Sequence, residues 1–411
     1  AEGYEVAGLD LQGEADFPLF KADLTSEESI RAALAKLRER FGGRIASVLH
    51  LAAYFDFSGE AHPLYEKLNV EGTRKLLRAL GDFEVEQFVH ASTMLVHAPC
   101  APGERIDEER AIDPRWAYPE SKAKAEQVVR EEAGDIPTVI LRLAGVYDEE
   151  SAVPTLAHQI ARIYERDPQS HFYSGPTDTG QSMVHRGDML DAFRRAVDRR
   201  AALPRRTALL IGEPEAIGYD DLQDRIGCLV HGEEDWATIR VPKPLAAAGA
   251  AALDKLEPVI PDAIDKGEKP FVKPFMVRMA DDHYALDISR ARDLLGWSPG
   301  HRLGTTLPAL VEGLKRDPAA WYARNGVTPP EWIEEAERAL LASLEIARSR
   351  GDRRLEGIVL SNYSEGLIAM GRLEDAEDVL AFARRDRGRL ELARPGGVHF
   401  KIILLRPDRL R

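Results

Sequence analysis

Residues 46–52 read ASVLHLA, a short run of small and branched apolar residues. A run this short and this continuously apolar is typical of a strand that is buried on both faces of a parallel sheet. Comparable runs occur at 4–10 (YEVAGLD), 87–91 (QFVHA) and 138–143 (TVILRL), and amphipathic stretches separate them at 26–41, 63–80 and 119–132. This alternation predicts an α/β fold of the Rossmann type, a doubly wound parallel sheet with helices on both faces.

The pattern changes along the chain and predicts four segments. We expect the sheet domain over residues 1–204 and a smaller, mixed α/β substrate lobe over 205–328, which also takes parts of 145–190. Pro329 and Pro330 mark a boundary. Residues 331–390 resemble a tetratricopeptide-like helical tail, although a plain helical hairpin is an equal alternative. Residues 391–411 are expected to be irregular or strand-like.

Composition limits the partners that the protein can have. The formal net charge of −14 argues against nucleic acid and anionic membranes, since both require a basic surface. Two cysteines in 411 residues cannot form a disulfide framework, which suits a reducing, cytoplasmic location. Small molecules and proteins remain as partners.

Tyr118 and Lys122 lie four residues apart at the start of a predicted helix, and therefore share one face. A free phenol is a poor base at neutral pH, but an adjacent ammonium favours the phenolate. The pair suits proton transfer at a carbinol or carbonyl carbon, although a solvated helix face would show the same spacing. Thr93 follows the strand at 87–91, and its hydroxyl can project from the carboxyl end of the sheet, where ligands bind.

With its segment 90–98 (HASTMLVHA), the chain resembles the extended short-chain dehydrogenase/reductases of the NAD-dependent epimerase/dehydratase type. The resemblance covers roughly residues 4–325. It implies that Thr93 binds the substrate hydroxyl, that Tyr118 is the acid/base, and that Lys122 binds the cofactor ribose and modifies the pKa of Tyr118. It also implies that Asn69 supports the active site.

The same resemblance implies a set of residues that contact NAD. Asp10 would bind the adenosine ribose hydroxyls, and its carboxylate favours NAD over NADP. Asp23 and Leu24 would contact adenine, while Leu51, Ala52 and Ala53 would lie under the cofactor. Each of these also has a structural interpretation: Asn69 as a helix brace, Asp10 as a loop acid, and Ala52 and Ala53 as small residues that let a helix approach. No metal site is expected, and His50 and His97 are assigned to packing because nothing pairs them at metal-ligand spacing.

A glycine-rich turn between the first strand and helix of the cofactor fold does not occur in this sequence. The first strand instead ends in Asp10, an acid typical of the second strand of such folds. We therefore expect the sequence to start one βα unit into the fold, with a gap at the centre of the sheet that leaves ladder groups unpaired. Weak NAD binding and low stability would follow.

The leading hypothesis is an NAD-dependent oxidoreductase, epimerase or dehydratase that acts on a hydroxyl or keto carbon of a small-molecule substrate. Related sugar-nucleotide enzymes often carry an arginine where this chain reads Gln181-Ser182-Met183, which puts a nucleotide-sugar substrate in doubt. The alternative is a non-catalytic interaction protein, in which a truncated Rossmann scaffold carries a protein-binding tail. A homodimer, and a protein partner bound through the tail, stay open.

Overall fold

A computed structural model describes residues 3–13, 15–256, 274–330, 333 and 402–407. The strands are β1 (Tyr4–Asp10), β2 (Leu19–Lys21), β3 (Arg44–Ile45), β4 (Ser47–His50), β5 (Glu84–Val85), β6 (Phe88–Thr93), β7 (Thr138–Leu143), β8 (Gly145–Tyr147), β9 (Phe172–Tyr173), β10 (Met183–His185), β11 (Arg206–Ile211), β12 (Ile239–Arg240) and β13 (Ile402–Pro407). The helices are α1 (Glu27–Phe41), α2 (Glu71–Leu80), α3 (Ala117–Glu132), α4 (Pro154–Tyr164), α5 (Arg186–Asp198), α6 (Tyr219–His231), α7 (Lys243–Leu256), α8 (Pro274–Arg278), α9 (Ser289–Leu295), α10 (Leu303–Arg316) and α11 (Pro318–Asn325).

The central sheet has seven strands in the order β11-β7-β6-β4-β13-β1-β2. All neighbours in it pair in parallel except those of β13, which runs antiparallel to both β1 and β4. Near-continuous burial of β4 and β7 shows that the sheet is covered on both faces, as the apolar runs predict. The predicted Rossmann-type fold is confirmed.

The predicted gap at the sheet centre is wrong. The backbone of β13 lies between β1 and β4, and Ile402 pairs with both Leu9 and His50. Strand pairing there satisfies the backbone ladder, because each non-proline residue carries one donor and one acceptor that must find a partner. The strand-like character expected within 391–411 is present at Ile402–Pro407, in the interior of the sheet rather than at an edge.

Helix α1 shows how the sequence positions these elements. The side chain of Ser26 accepts a hydrogen bond from the backbone N–H of Ser29 and begins the helix. Ile30, Leu34 and Leu37 are buried on one face against the sheet, and each stabilises the fold by about 1.5–3 kcal/mol. Gly42, with a φ of 79°, ends the helix.

The smaller lobe contains short strand pairs and most of the helices from α4 onward, whereas α5 and α9 pack against the central sheet. Its core is built from buried aromatic and aliphatic side chains, among them Trp236, Leu310 and Trp321. Strand β11 lies at the edge of the central sheet, so the sheet domain extends to Ile211 rather than ending at 204. The predicted helical tail at 331–390 lies outside the described residues, apart from Ile333. Within the described part of the chain, no helix combines the length and the apolar character needed to cross a bilayer.

Candidate active site

The carboxyl ends of β1, β2, β4 and β6 meet at one edge of the sheet, because these strands run in the same direction. Asp10 is the last residue of β1, and Thr93 is the last residue of β6. Leu51, Ala52 and Ala53 follow β4, and Asp23 and Leu24 follow β2. The structure therefore brings every predicted strand-end residue of the site to the same edge.

Helix α3 supplies the other predicted residues. Tyr118 lies in its first turn and Lys122 one turn later. The hydroxyl of Ser92, which precedes Thr93, donates a 2.6 Å hydrogen bond to Glu126 one further turn along the helix. This bond holds α3 against the end of β6, so Tyr118 and Lys122 lie on the helix that packs beside Thr93.

Aromatic rings surround Tyr118. Phe55 packs edge-to-face on it at 4.8 Å between ring centroids, and Trp116 and Tyr65 lie at 5.6 and 6.5 Å. Burial raises the pKa of the Tyr118 hydroxyl above its ordinary value, and the neighbouring Tyr65 adds to the effect. Tyr118 is therefore a neutral phenol in this structure, and Lys122 alone does not lower its pKa as the sequence suggests.

Lys122 is almost fully buried, with 2% of its surface exposed. Burial lowers the pKa of its amine to about 8, and the nearby carboxylate of Glu126 opposes that decrease. His50 and His90 lie below it in the sheet, with ring centroids 5.3 Å apart. Burial and the charge of Lys122 lower the pKa of both imidazoles, to about 3 for His50, so both are neutral.

The side-chain hydrogen bonds of Asn69 go to Tyr54 and Ser121. Its side chain accepts a 2.6 Å hydrogen bond from the backbone N–H of Tyr54 and donates to the Tyr54 carbonyl and to Ser121 Oγ. The residue lies in a π-helical segment, Tyr65–Val70, that leads into α2. Asn69 thus joins the loop after β4 to the start of α3, and it supports the site by bracing two of its walls.

Asp10 and Thr93 retain unused hydrogen-bonding capacity. One carboxylate oxygen of Asp10 accepts from the backbone N–H of Gln12, and the other, Oδ2, is buried without a partner among the described residues. The hydroxyl oxygen of Thr93 accepts from the backbone N–H of Leu95, which leaves its proton available to a ligand. A buried acceptor without a partner is costly unless a ligand or water satisfies it.

The remaining predicted cofactor contacts have structural partners as well. Asp23 accepts hydrogen bonds from the backbone N–H and the hydroxyl of Thr25, which forms the turn before α1. Leu24 is buried in the core against Gly72, and a Cβ at Gly72 would lie 3.2 Å from the Leu24 carbonyl oxygen. Ala52 is buried, whereas Leu51 and Ala53 are half-buried beside it.

These residues fit the two ribose ends of a dinucleotide. The orphaned Asp10 Oδ2 is suited to accept from a ribose hydroxyl, and the buried ammonium of Lys122 is suited to donate to one. Asp10 ends β1, Lys122 lies on α3 beside the end of β6, and the ends of β13 and β4 lie between these two strands. The observations therefore support a dinucleotide lying across this edge.

Two features of the site escaped the sequence analysis. An aromatic wall, defined here as Phe55, Phe57, Trp116 and Phe275, comes from three separate segments of the chain. Gly59 allows Phe275 to approach, since a Cβ there would lie 2.2 Å from the ring. The other feature is the buried ion pair of Glu126 with Arg142. The four-residue spacing of Tyr118, Lys122 and Glu126 places Glu126 on the same helix face as the other two, and it was the sequence signal that could have identified Glu126.

One group in the smaller lobe has the composition of a metal site. Glu149, His185 and His301 each offer a ligand atom, and these atoms lie within 4.8 Å of one another. The two imidazoles, however, stack at 3.8 Å between centroids and 19° between planes, so their in-plane lone pairs do not converge on one point. His185 also donates to Glu149 from Nε2, because its Nδ1 accepts from the backbone N–H of Gly187.

Known proteins share both the sequence pattern and the fold. A family model described as "NAD dependent epimerase/dehydratase family" matches residues 1–212. The chain belongs to this family of NAD-dependent enzymes.

Particular relatives differ in what they act on. Sterol-4-alpha-carboxylate 3-dehydrogenase (decarboxylating) of Saccharomyces cerevisiae is 26% identical over 315 residues, 73% of this chain and 84% of the yeast enzyme. A 4-hydroxy-2-methyl-3-oxo-4-farnesyl-3,4-dihydroquinoline-1-oxide ketoreductase of Stigmatella aurantiaca is 31% identical over 129 residues, 30% of this chain and 38% of that protein. The UDP-glucose 4-epimerase of Thermus thermophilus, solved in complex with NAD, superposes with a TM-score of 0.53 at 20% identity, covering 74% of this chain and 89% of that one.

Proposed function

We propose that the protein is an NAD-dependent oxidoreductase that acts on a secondary hydroxyl or keto carbon of an apolar small molecule, with Tyr118 as the acid/base. The observation that carries the proposal is the aromatic wall around Tyr118. Tyr118 lies on α3, the helix that also carries Lys122 beside the end of β6. An acid/base residue enclosed by apolar rings suits a substrate whose reacting oxygen is its main polar group.

The residues divide the proton chemistry among them. In the reducing direction the neutral phenol of Tyr118 donates its proton to the keto oxygen of the substrate; in the oxidising direction its phenolate removes the hydroxyl proton. The Thr93 hydroxyl donates a hydrogen bond to the same substrate oxygen and orients it. When bound, the cofactor would supply the hydride chemistry, with NAD accepting the hydride from the substrate carbon in the oxidising direction and NADH returning it in the reducing direction. Lys122 provides a positive charge that favours the phenolate, without cancelling the effect of burial on the pKa of Tyr118.

Both the aromatic wall and the segment 181–183 of the smaller lobe favour an apolar substrate over a nucleotide sugar. The segment 181–183 carries no cation: the Ser182 hydroxyl donates to the Glu213 carbonyl, and both Ser182 and Met183 are buried. A phosphate ligand of the arginine type is therefore missing from this segment. The names of the yeast and Stigmatella relatives, a sterol dehydrogenase and a farnesylated-quinoline ketoreductase, agree with a largely apolar substrate.

A substrate panel tests the proposal. Purified protein is incubated with NAD and, separately, with cyclic apolar secondary alcohols and with UDP-glucose, and net NADH formation is followed by absorbance. We expect NADH with the apolar alcohols. We also expect a Phe57→Ala variant to raise KM for them by roughly tenfold to a hundredfold, through loss of about 1.5–3 kcal/mol of apolar contact, with a smaller change in kcat. Turnover with UDP-glucose alone, or epimerisation without net NADH, would contradict the proposal.

A further inference from the structure

Glu126 and Arg142 form a buried, two-point ion pair between α3 and β7. Arg142 Nε donates to Glu126 Oε1 at 3.0 Å, and Arg142 Nη2 donates to Oε2 at 2.7 Å. Only 1% of the Glu126 side chain and 3% of the Arg142 side chain are exposed. Two parallel hydrogen bonds fix the relative orientation of the two groups as well as their distance.

The pair is connected to the segment that carries Thr93. Ser92 donates to Glu126 from one side of Thr93. On the other side, Arg142 Nη1 lies 2.8 Å from Nε2 of His97, whose Nδ1 lies 2.8 Å from the Arg110 carbonyl oxygen. Burial and the charge of Arg142 lower the pKa of His97 to about 4, so His97 is a neutral ring that accepts from Arg142 and donates to the carbonyl. Residues 92–97 are therefore held at both ends.

Charge around Lys122 is unevenly distributed. Toward the inner part of α3, the neighbouring elements present the titratable or charged side chains His50, Tyr65, Glu66, His90 and Arg142. Of these, His50 and His90 are neutral, and Glu66 pairs with the exposed Lys124 instead. Glu126, one turn from Lys122 on α3 itself, is the carboxylate that supports the buried ammonium among the described residues.

We propose that Glu126 is a positioning residue for the reaction: its carboxylate keeps Lys122 in the ammonium form and, through Arg142 and Ser92, holds α3 against the end of β6. This inference rests on the proposed function for its link to catalysis, but its electrostatic part concerns the protein alone. Without the carboxylate, the buried ammonium loses its stabilising partner. As pH rises, Lys122 then deprotonates at a lower pH than in the unaltered protein, and the charge that favours the Tyr118 phenolate is lost there.

NMR of the lysine side chains tests the electrostatic part without substrate or cofactor. Protein labelled with ¹³C at lysine Cε is titrated with pH, and the Lys122 signal is assigned with Lys122→Arg. We expect a midpoint near 8 for Lys122 in the unaltered protein. In Glu126→Gln we expect that midpoint to fall by about one pH unit or more. The exposed Lys124, two residues away, should keep its midpoint and serves as the internal reference.

Three variants separate charge from structure. Glu126→Asp retains the charge and should restore the midpoint toward that of the unaltered protein. Ser92→Ala removes a neutral hydrogen bond to the same carboxylate and should leave the midpoint in place. If Glu126→Gln does not fold because Arg142 is left unpaired, Glu126→Gln/Arg142→Gln is compared with Arg142→Gln, in which Glu126 keeps Arg130 and Ser92 as partners. These two variants differ by the carboxylate charge alone, and the Lys122 midpoint should be lower in the double variant. An unmoved Lys122 midpoint in the neutralised variant would overturn the proposal.

Activity measurements then distinguish failure of this inference from failure of the proposed function. If the Lys122 midpoint falls, and the decline of kcat on the alkaline side of the pH profile moves to lower pH by the same amount, the role of Glu126 and the proposed function both stand. If the midpoint falls in a protein without dehydrogenase activity, the electrostatic role of Glu126 holds and the proposed function fails. Full activity with an unmoved midpoint would retain the function and reject the role of Glu126.

Discussion

The side-chain amide of Asn69 donates a 2.9 Å hydrogen bond to Ser121 Oγ, and through it the helix before α2 is fixed to the helix that carries Tyr118. Asn69 also closes two hydrogen bonds with the backbone of Tyr54, so a single buried side chain sets the separation between the loop after β4 and the first turn of α3. Phe55 on that loop and Tyr118 on that helix pack against each other as a result.

Replacing Asn69 tests this bracing role. We expect Asn69→Ala to lower the free energy of unfolding by about 1–3 kcal/mol, because the part-buried backbone N–H and carbonyl of Tyr54 lose their partners. Displacement of Tyr118 should also lower kcat, by up to about a hundredfold. Urea denaturation and steady-state kinetics measure the two effects. Unchanged kcat in a correctly folded variant would show that the loop and α3 are fixed by other contacts.

Asp10 should determine how tightly, and which, dinucleotide binds. Loss of a hydrogen bond to a charged acceptor costs about 1.5–3 kcal/mol, so we expect Asp10→Ala to weaken NAD binding tenfold to a hundredfold in calorimetry. Asp10→Ala also removes the repulsion between the Asp10 carboxylate and the 2'-phosphate of NADP, so the preference for NAD over NADP should become smaller. The exposed Asp16→Ala is the control and should keep the original affinity. Equal NAD affinity in Asp10→Ala and Asp16→Ala would show that Asp10 does not bind the cofactor.

The pH dependence of reduction should report the ionisation of Lys122. Its pKa is lowered to about 8, so the ammonium is present below that pH and is lost as pH rises through it. Tyr118, whose pKa is raised, stays protonated throughout this range. We therefore expect kcat/KM for NADH-dependent reduction of a keto substrate to fall as pH rises above about 8. A Lys122→Arg variant that retains activity should not show this fall in kcat/KM, because the guanidinium stays charged. A fall at the same pH in that variant would show that a group other than Lys122 causes it.

His90 should destabilise the protein in acid. Both of its ring nitrogens are buried without partners among the described residues, and burial lowers its pKa well below 6.5. The unfolded chain binds a proton below that pH and the folded one does not, so stability falls by up to about 1.4 kcal/mol per pH unit on acidification. His90→Leu should reduce this slope in urea denaturation between neutral pH and the mildly acidic range. The same slope in the variant would place the acid sensitivity in other groups.

The sequence predicted the local elements of the sheet domain closely. β1 and β7 have the predicted bounds, and α1 (Glu27–Phe41) fills the predicted amphipathic stretch at 26–41, because a continuous apolar run and an amphipathic helix are determined by neighbouring residues. The pairing of β13 with β1 and β4 could not be predicted in the same way. It joins residues about 350–400 positions apart, and its direction depends on the sheet as a whole.

The site shows the same division. Tyr118, Lys122 and Thr93 were identified by short spacings and by resemblance, since their positions follow from one helix and one strand end. The aromatic wall was missed because Phe57, Trp116 and Phe275 converge only in three dimensions. The role of Asn69 was identified only in outline, because its partners Tyr54 and Ser121 lie on different segments.

Turnover by Tyr118→Phe tests the central claim most directly, with Tyr65→Phe as a matched control that removes a hydroxyl from the neighbouring ring 6.5 Å away. NADH formation from an apolar secondary alcohol and NAD affinity by calorimetry are measured for both variants. We predict that Tyr118→Phe lowers kcat by a factor of about 10²–10⁴ with NAD affinity unchanged, whereas Tyr65→Phe retains most of its activity. Equal turnover by Tyr118→Phe and the unaltered protein would contradict the account.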